Sequence, residues 1–127
     1  MKADEITLTM PRDRAFYTVA HLVLGGLGIR LNLTIENLED LQLALDAVLE
    51  RASETDDVTI ALRLKGGEIE TAIGPMRDGV SDELEASEGD EVGLRRILDT
   101  LVDRVELSPG KGGDWVKLTK AVEVRSE

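Results

Sequence analysis

The apolar positions along the chain change period several times, and each change marks an element. Glu5 to Met10 alternates as a short strand does, and Pro11-Arg12-Asp13 punctuates it, with Asp13 placed to cap the next element. From Arg14 to Arg30, Phe16, Val19, Ala20, Val23 and Leu27 recur at helical spacing, and Leu22 and Leu24 widen the stripe. The pattern predicts a largely buried helix. Thr34 can cap a second helix, with Glu36 in its first turn complementing the helix dipole. Its core face is Leu38, Leu41, Leu45, Val48, Leu49 and Ala52, while Glu36, Glu39, Asp40, Gln42, Asp46 and Glu50 turn mostly outward.

After Ser53 to Asp57 the period shortens to that of a strand. Val58, Ile60, Leu62 and Leu64 alternate with Thr59, Ala61, Arg63 and Lys65, and Gly66-Gly67 suits a hairpin turn into Ile69, Thr71 and Ile73. Gly74 to Glu91 holds Pro75 and the acids Asp82, Glu83, Glu85, Glu88, Asp90 and Glu91, and predicts a mobile loop. The acids from Ser81 to Glu91 lack the fixed ligand spacing of a calcium loop, so a solvated run is expected there. Val92 to Arg104 recovers helical spacing through Leu94, Ile97, Leu98, Leu101 and Val102. Val105 to Leu107 begins a strand, Ser108 to Gly113 reads as a turn, and the last strand runs from Asp114 to about Val124. This order predicts an α+β two-layer sandwich: a mixed, mostly antiparallel sheet with about three helices on one face.

Composition narrows the function. The 127 residues suit one core, so residues 1–127 are read as a single domain. A net charge of -11 repels nucleic-acid backbones and anionic membranes, and leaves a basic protein surface as a reasonable partner. With no cysteine and only His21, disulfides, thiol chemistry and multi-histidine metal sites are excluded. No apolar run approaches the length of a membrane span, and Met1 to Glu5 does not open a secretory signal, so the cytoplasm is the expected compartment. Gly25-Gly26-Leu27-Gly28 does not lie between a strand and a helix N-terminus, the context a phosphate loop needs. It reads instead as a weak helix end packed closely against a neighbour. His21, in a mostly apolar helix, reads as a hydrogen-bonded structural residue, and Trp115 as a packing residue.

The succession of elements resembles the histidine-kinase-like (Bergerat) ATPase fold in its minimal form, that of the bacterial anti-sigma-factor serine kinases. Ile35 to Asp46 is similar to the segment leading into that family's first nucleotide motif, Val92 to Asp103 to its last helix, and Gly113 to Lys120 to its final strand. The resemblance covers nearly the whole chain. It implies a Glu-x-x-x-Asn motif on the long helix, whose acid acts as base and whose amide helps hold magnesium; here Ala47 and Arg51 align with those positions. Ala47 cannot accept a proton, and a guanidinium has only donors and a positive charge. Pro75 stands where the adenine-binding aspartate is implied. The glycine-rich lid is reduced to Asp90-Glu91-Val92-Gly93-Leu94, with Gly93 and Leu94 surviving, and Asp114 or Trp115 replaces a threonine of the final strand.

The remnant nucleotide-pocket positions are therefore Ala47, Arg51, Pro75, Gly93 and Leu94, and no catalytic residue and no cofactor is expected. The resemblance implies a degenerate regulatory domain that binds a sigma factor or an anti-sigma antagonist, with homodimer formation implied by analogy. The alternative is an active serine kinase using Mg-ATP, with Asp46 and Glu50, one residue earlier, as displaced metal ligands. A blander option keeps a pocket for another small molecule with Arg51 as its anion-binding group, or leaves Arg51 as a helix-end residue beside carbonyls that favour cations.

Overall fold

The computed structural model describes residues 5–31, 33–52, 57–80, 84 and 93–122. Its sheet has five strands: β1 (Glu5–Met10), β2 (Val58–Lys65), β3 (Glu68–Gly74), β4 (Arg104–Gly110) and β5 (Gly113–Ala121), in the order β1-β2-β3-β5-β4. All four ladders are antiparallel. Among the described residues, the helices α1 (Tyr17–Leu31), α2 (Ile35–Leu49) and α3 (Leu94–Leu101) complete the α+β sandwich that the periodicities predict.

Register follows from the alternation of β2 and β3. Ile60 pairs with Ile73 and Leu62 with Thr71, which stacks the apolar set on one face, while Arg63 faces Glu70 on the other. Gly66 and Gly67 close this hairpin with φ of 56° and 82°, values that glycine adopts without a Cβ penalty. On the inner face Val58, Ile60, Leu62, Ile69, Ile73, Val116 and Leu118 join Leu24, Leu41, Leu45, Val48, Leu49, Leu94 and Leu98 from the helices in one core cluster. The outer face is a charge ladder: Lys117 lies 3.9 Å from Glu70 and 3.8 Å from Glu106, and Arg104 lies 3.7 Å from Glu68.

The second hairpin differs from the expectation of a long turn over Ser108 to Gly113. β4 continues to Gly110, with Ser108 opposite Trp115 and Pro109 opposite Asp114, so the turn is only Lys111-Gly112. Pro109 is tolerated because β4 is the edge strand and needs no outward N–H donor. The extension of the last strand to Val124 lies outside the described residues beyond Val122.

Two further expectations change. The early helix begins as a 3-10 turn at Arg14–Phe16, with Asp13 Oδ1 accepting the Ala15 N–H at 2.9 Å, and it is not largely buried. Ala20, Leu24, Leu27 and Gly28 enter the core, whereas Phe16, Val19, Leu22 and Ile29 are exposed. The glycine run lies within α1, not at its end. Only Gly28 meets a neighbour, Leu38, whose Cδ1 would stand 3.3 Å from an added Cβ.

The segment after β3 is anchored where it is described. Pro75, Met76, Val80 and Leu84 are buried, Met76 N–H donates to the Asp114 carbonyl at 2.8 Å, and Ala52 forms an isolated bridge with Met76. The acidic run expected to be a mobile loop, Asp82 to Glu91 in the main, lies outside the described residues.

Candidate functional site

Helix α2 positions the residues singled out on the sequence. Thr34 Oγ1 accepts the Asn37 N–H at 3.1 Å and starts the helix as its cap. Four turns later the helix ends against the segment that follows β3: Arg77 N–H donates to the Arg51 carbonyl at 2.9 Å. The end of α2 and the segment Pro75-Met76-Arg77 are thus brought together.

Within that corner, Ala47 is half-buried and offers a methyl group. The Arg51 guanidinium folds back along its own helix, donating from Nη1 to the Ala47 carbonyl at 2.9 Å. This contact satisfies one of the last helical carbonyls and places a cation at the negative end of the dipole. Pro75 is buried, its Cγ 3.3 Å from where a Cβ on Gly112 would stand. Gly93 caps α3 in extended conformation without a side-chain hydrogen bond, and Leu94 enters the shared core with only 1% exposure. Leu94 therefore packs as structure. Arg95, next to it, donates from Nε to the Leu84 carbonyl at 3.2 Å and from Nη1 to the Val105 carbonyl at 3.4 Å.

Asp46 and Glu50 look the other way, toward α1 and the turn before it. Asp46 Oδ1 meets His21 Nε2 at 2.8 Å, and Glu50 Oε2 meets Arg14 Nη2 at 2.6 Å. Arg12 adds a donor from Nη2 to the Glu50 carbonyl at 2.7 Å. One residue along a helix is a rotation of about 100°, so this pair and the pair Ala47/Arg51 address different neighbours. Tyr17 sits beside the same cluster, and burial, reinforced by the Glu50 carboxylate, raises its phenol above its ordinary value. Among the described residues no group of three or more His, Asp or Glu is placed to share a metal ion. On the far side of α2, Lys120 Nζ reaches Asp40 at 3.4 Å and the Leu101 carbonyl at 2.8 Å, tying the end of α3 to α2.

The sequence marks His21 as a bonded residue and Trp115 as a packing one, but not their partners. The Trp115 indole lies against Gly74 and Gly110 and donates from Nε1 to the Lys111 carbonyl at 3.0 Å.

The architecture is that of the histidine-kinase-like (GHKL) ATPase fold in its RsbW-like form. Among the solved structures that carry the likeness is that of the RsbU and RsbW domains of Rv1364c from Mycobacterium tuberculosis, with a TM-score of 0.71 at 14% sequence identity. The match covers 98% of this chain and 34% of that one. No protein-family model matches the chain, and no curated protein matches it in sequence. No described helix is long and apolar enough to cross a membrane.

Proposed function

We propose that the chain is an anti-sigma-type regulatory domain that acts by binding a protein, a sigma factor or an anti-sigma antagonist, and does not transfer phosphate. The observation that carries this reading is the Arg51 guanidinium held on the Ala47 carbonyl at 2.9 Å. The positions aligned with a base and a magnesium-holding amide present a methyl group and a cation. A guanidinium cannot coordinate magnesium and repels it. Asp46 and Glu50, the displaced ligands of the kinase alternative, are instead turned toward His21 and Arg14. The residues present do not fit Mg-ATP, and no step is derived through it. The likeness to an RsbW domain supports the regulatory class, and a net charge of -11 supports a protein partner rather than nucleic acid or an anionic membrane. A partner of this kind places the protein in the cytoplasm.

Calorimetric titration with ATP at millimolar magnesium, paired with a thermal-shift scan, tests the reading, because a ligand specific for the folded state raises the melting temperature. The expected result is no heat and no shift. Saturable binding that is lost in Asp46→Ala and Glu50→Ala would restore the kinase alternative.

A further inference from the structure

The helix layer carries an apolar face that the described residues leave open. Phe16, Val19, Leu22 and Ile29 are exposed, Leu22 by 70% and Ile29 by 80%. Leu22 and Ile29, seven residues apart, lie on the side of the α1 axis opposite Ala20, Leu24 and Leu27, while Phe16, in the 3-10 turn, and Val19 flank that side. Ile35 and Leu43 of α2 are exposed by 72% and 57%. The two helices are held side by side by Gly28 against Leu38 and by His21 against Asp46. Between them runs an open groove of about 280 Å³ lined by His21, Glu39, Gln42, Leu43 and Asp46.

Gly25 and Gly26 sharpen this picture. Neither has any atom within 4 Å of where a Cβ would stand, so no packing described within the chain requires a glycine there. Each weakens the helix by about 1 kcal/mol relative to alanine. A bare stretch of helix beside exposed leucine and isoleucine lets a second backbone approach closely.

Charge selects the occupant. Helix α1 contains no acidic residue, but α2 places Glu36 and Glu39 between Ile35 and Leu43, and neither is ion-paired among the described residues. A second copy would bring the same carboxylates and another net charge of -11 to the contact. A chain with lysines or arginines beside an apolar stripe would complement both features.

We propose that the α1–α2 face docks an amphipathic helix of a protein partner, its apolar stripe lying over Leu22, Ile29 and Leu43 and its flanking basic residues meeting Glu36 and Glu39. The biological role of this docking rests on the partner-binding reading above, whereas the contact itself does not.

The test uses the full chain and a labelled synthetic peptide with leucines at helical i, i+3, i+4 and i+7 spacing flanked by lysines, against a scrambled peptide of the same composition. Fluorescence anisotropy is expected to show the ordered peptide binding at least about tenfold more tightly than the scramble. Leu22→Ser with Ile29→Ser should weaken it by roughly tenfold or more while the melting temperature holds, since both side chains are largely in water. Glu36→Gln with Glu39→Gln should weaken it and flatten its salt dependence. Equal binding of the scramble, or indifference to the serine pair, overturns the proposal. So does sedimentation showing a dimer that the serine pair dissolves, because a second copy would then cover the face. Saturable ATP binding with peptide docking intact would refute the non-catalytic reading and leave this one standing.

Discussion

Replacing Gly74 by alanine adds one methyl group where the Trp115 ring already lies. A Cβ there would stand 2.6 Å from indole Cε2 and closer still to Cδ2 and Cγ, against an ordinary carbon–carbon separation of roughly 3.5–4.0 Å. The ring must move by about 1 Å or leave. Its other edge already packs close over Gly110, where an added Cβ would stand 2.6 Å from Cδ1, which leaves little room on that side. Its Nε1–H is also committed to the Lys111 carbonyl at 3.0 Å. Overpacking of this kind costs about 1–3 kcal/mol, and the lost hydrogen bond about 1 kcal/mol more. The half-buried indole can swing toward water, which holds the total to about 2–4 kcal/mol. For a domain of this size that is a fall in melting temperature on the order of 10 °C. Circular dichroism melts read the stability, and tryptophan emission reads the ring directly, since Trp115 is the only tryptophan. In a Trp115→Ala background the same glycine change should cost close to nothing. An unchanged melt and unchanged emission for Gly74→Ala would refute the stacked geometry, as would an equal penalty without the indole.

Gly25→Ala makes the same chemical change where nothing lies within 4 Å, so it should stabilise the protein by about 0.5–1 kcal/mol in a denaturant titration. Thr34→Ala removes the cap on the Asn37 N–H and should lower stability by about 1 kcal/mol, read by the same titration, with Thr34→Ser restoring most of it. Tyr17, the only tyrosine, should form phenolate at higher pH in the folded chain than in urea, followed by ultraviolet absorbance. The folded-state value is raised, so its contribution to stability is complete below the unfolded value of 10.0 and is lost as pH rises through the folded one; Tyr17→Phe should remove that part of the alkaline loss.

The first hairpin and α2 are legible in the sequence because each has a single clean period and a clear punctuation: alternation broken by Gly66-Gly67, and a leucine stripe opened by Thr34. Helix α1 is harder for the opposite reason. Its residues are apolar nearly all round, so the pattern gives a helix but no phase, and nothing in it says that Leu24 faces the core while Leu22 faces water. The second hairpin is misread at Ser108 to Gly110 because Pro109 and the glycines carry turn signals, which an edge strand overrides. At the candidate site, the four-residue spacing of Ala47 and Arg51 is visible, and so is a helix-end role for Arg51. The pairing of Asp46 with His21, 25 positions away, depends on how α1 lies on α2 and has no local signature.

Helix α2 joins these observations, because successive residues on it serve different neighbours. Asp46 and Glu50 are partnered toward α1, Ala47 and Arg51 turn about 100° further round, and Leu43 with Glu39 faces the open groove. Surface ion pairs are worth little, typically about 0–1 kcal/mol, so the His21 and Arg14 contacts do not themselves keep the acids from a metal. Direction matters more: both carboxylates point toward α1 and the turn before it, and Leu41, Leu45 and Val48 seat the helix in the core. The residues that do stand in the corner suit the helix rather than a ligand. Alanine has the highest helix propensity, and an arginine in the last turn satisfies a carbonyl and the dipole together. On the proposed reading, these helix-stabilising positions, on a scaffold that leaves leucine and isoleucine in water a few turns away, belong to a domain that acts through its surface. If instead Ala47→Glu with Arg51→Asn were to lower partner affinity while leaving ATP unbound, the corner itself would be part of the protein interface.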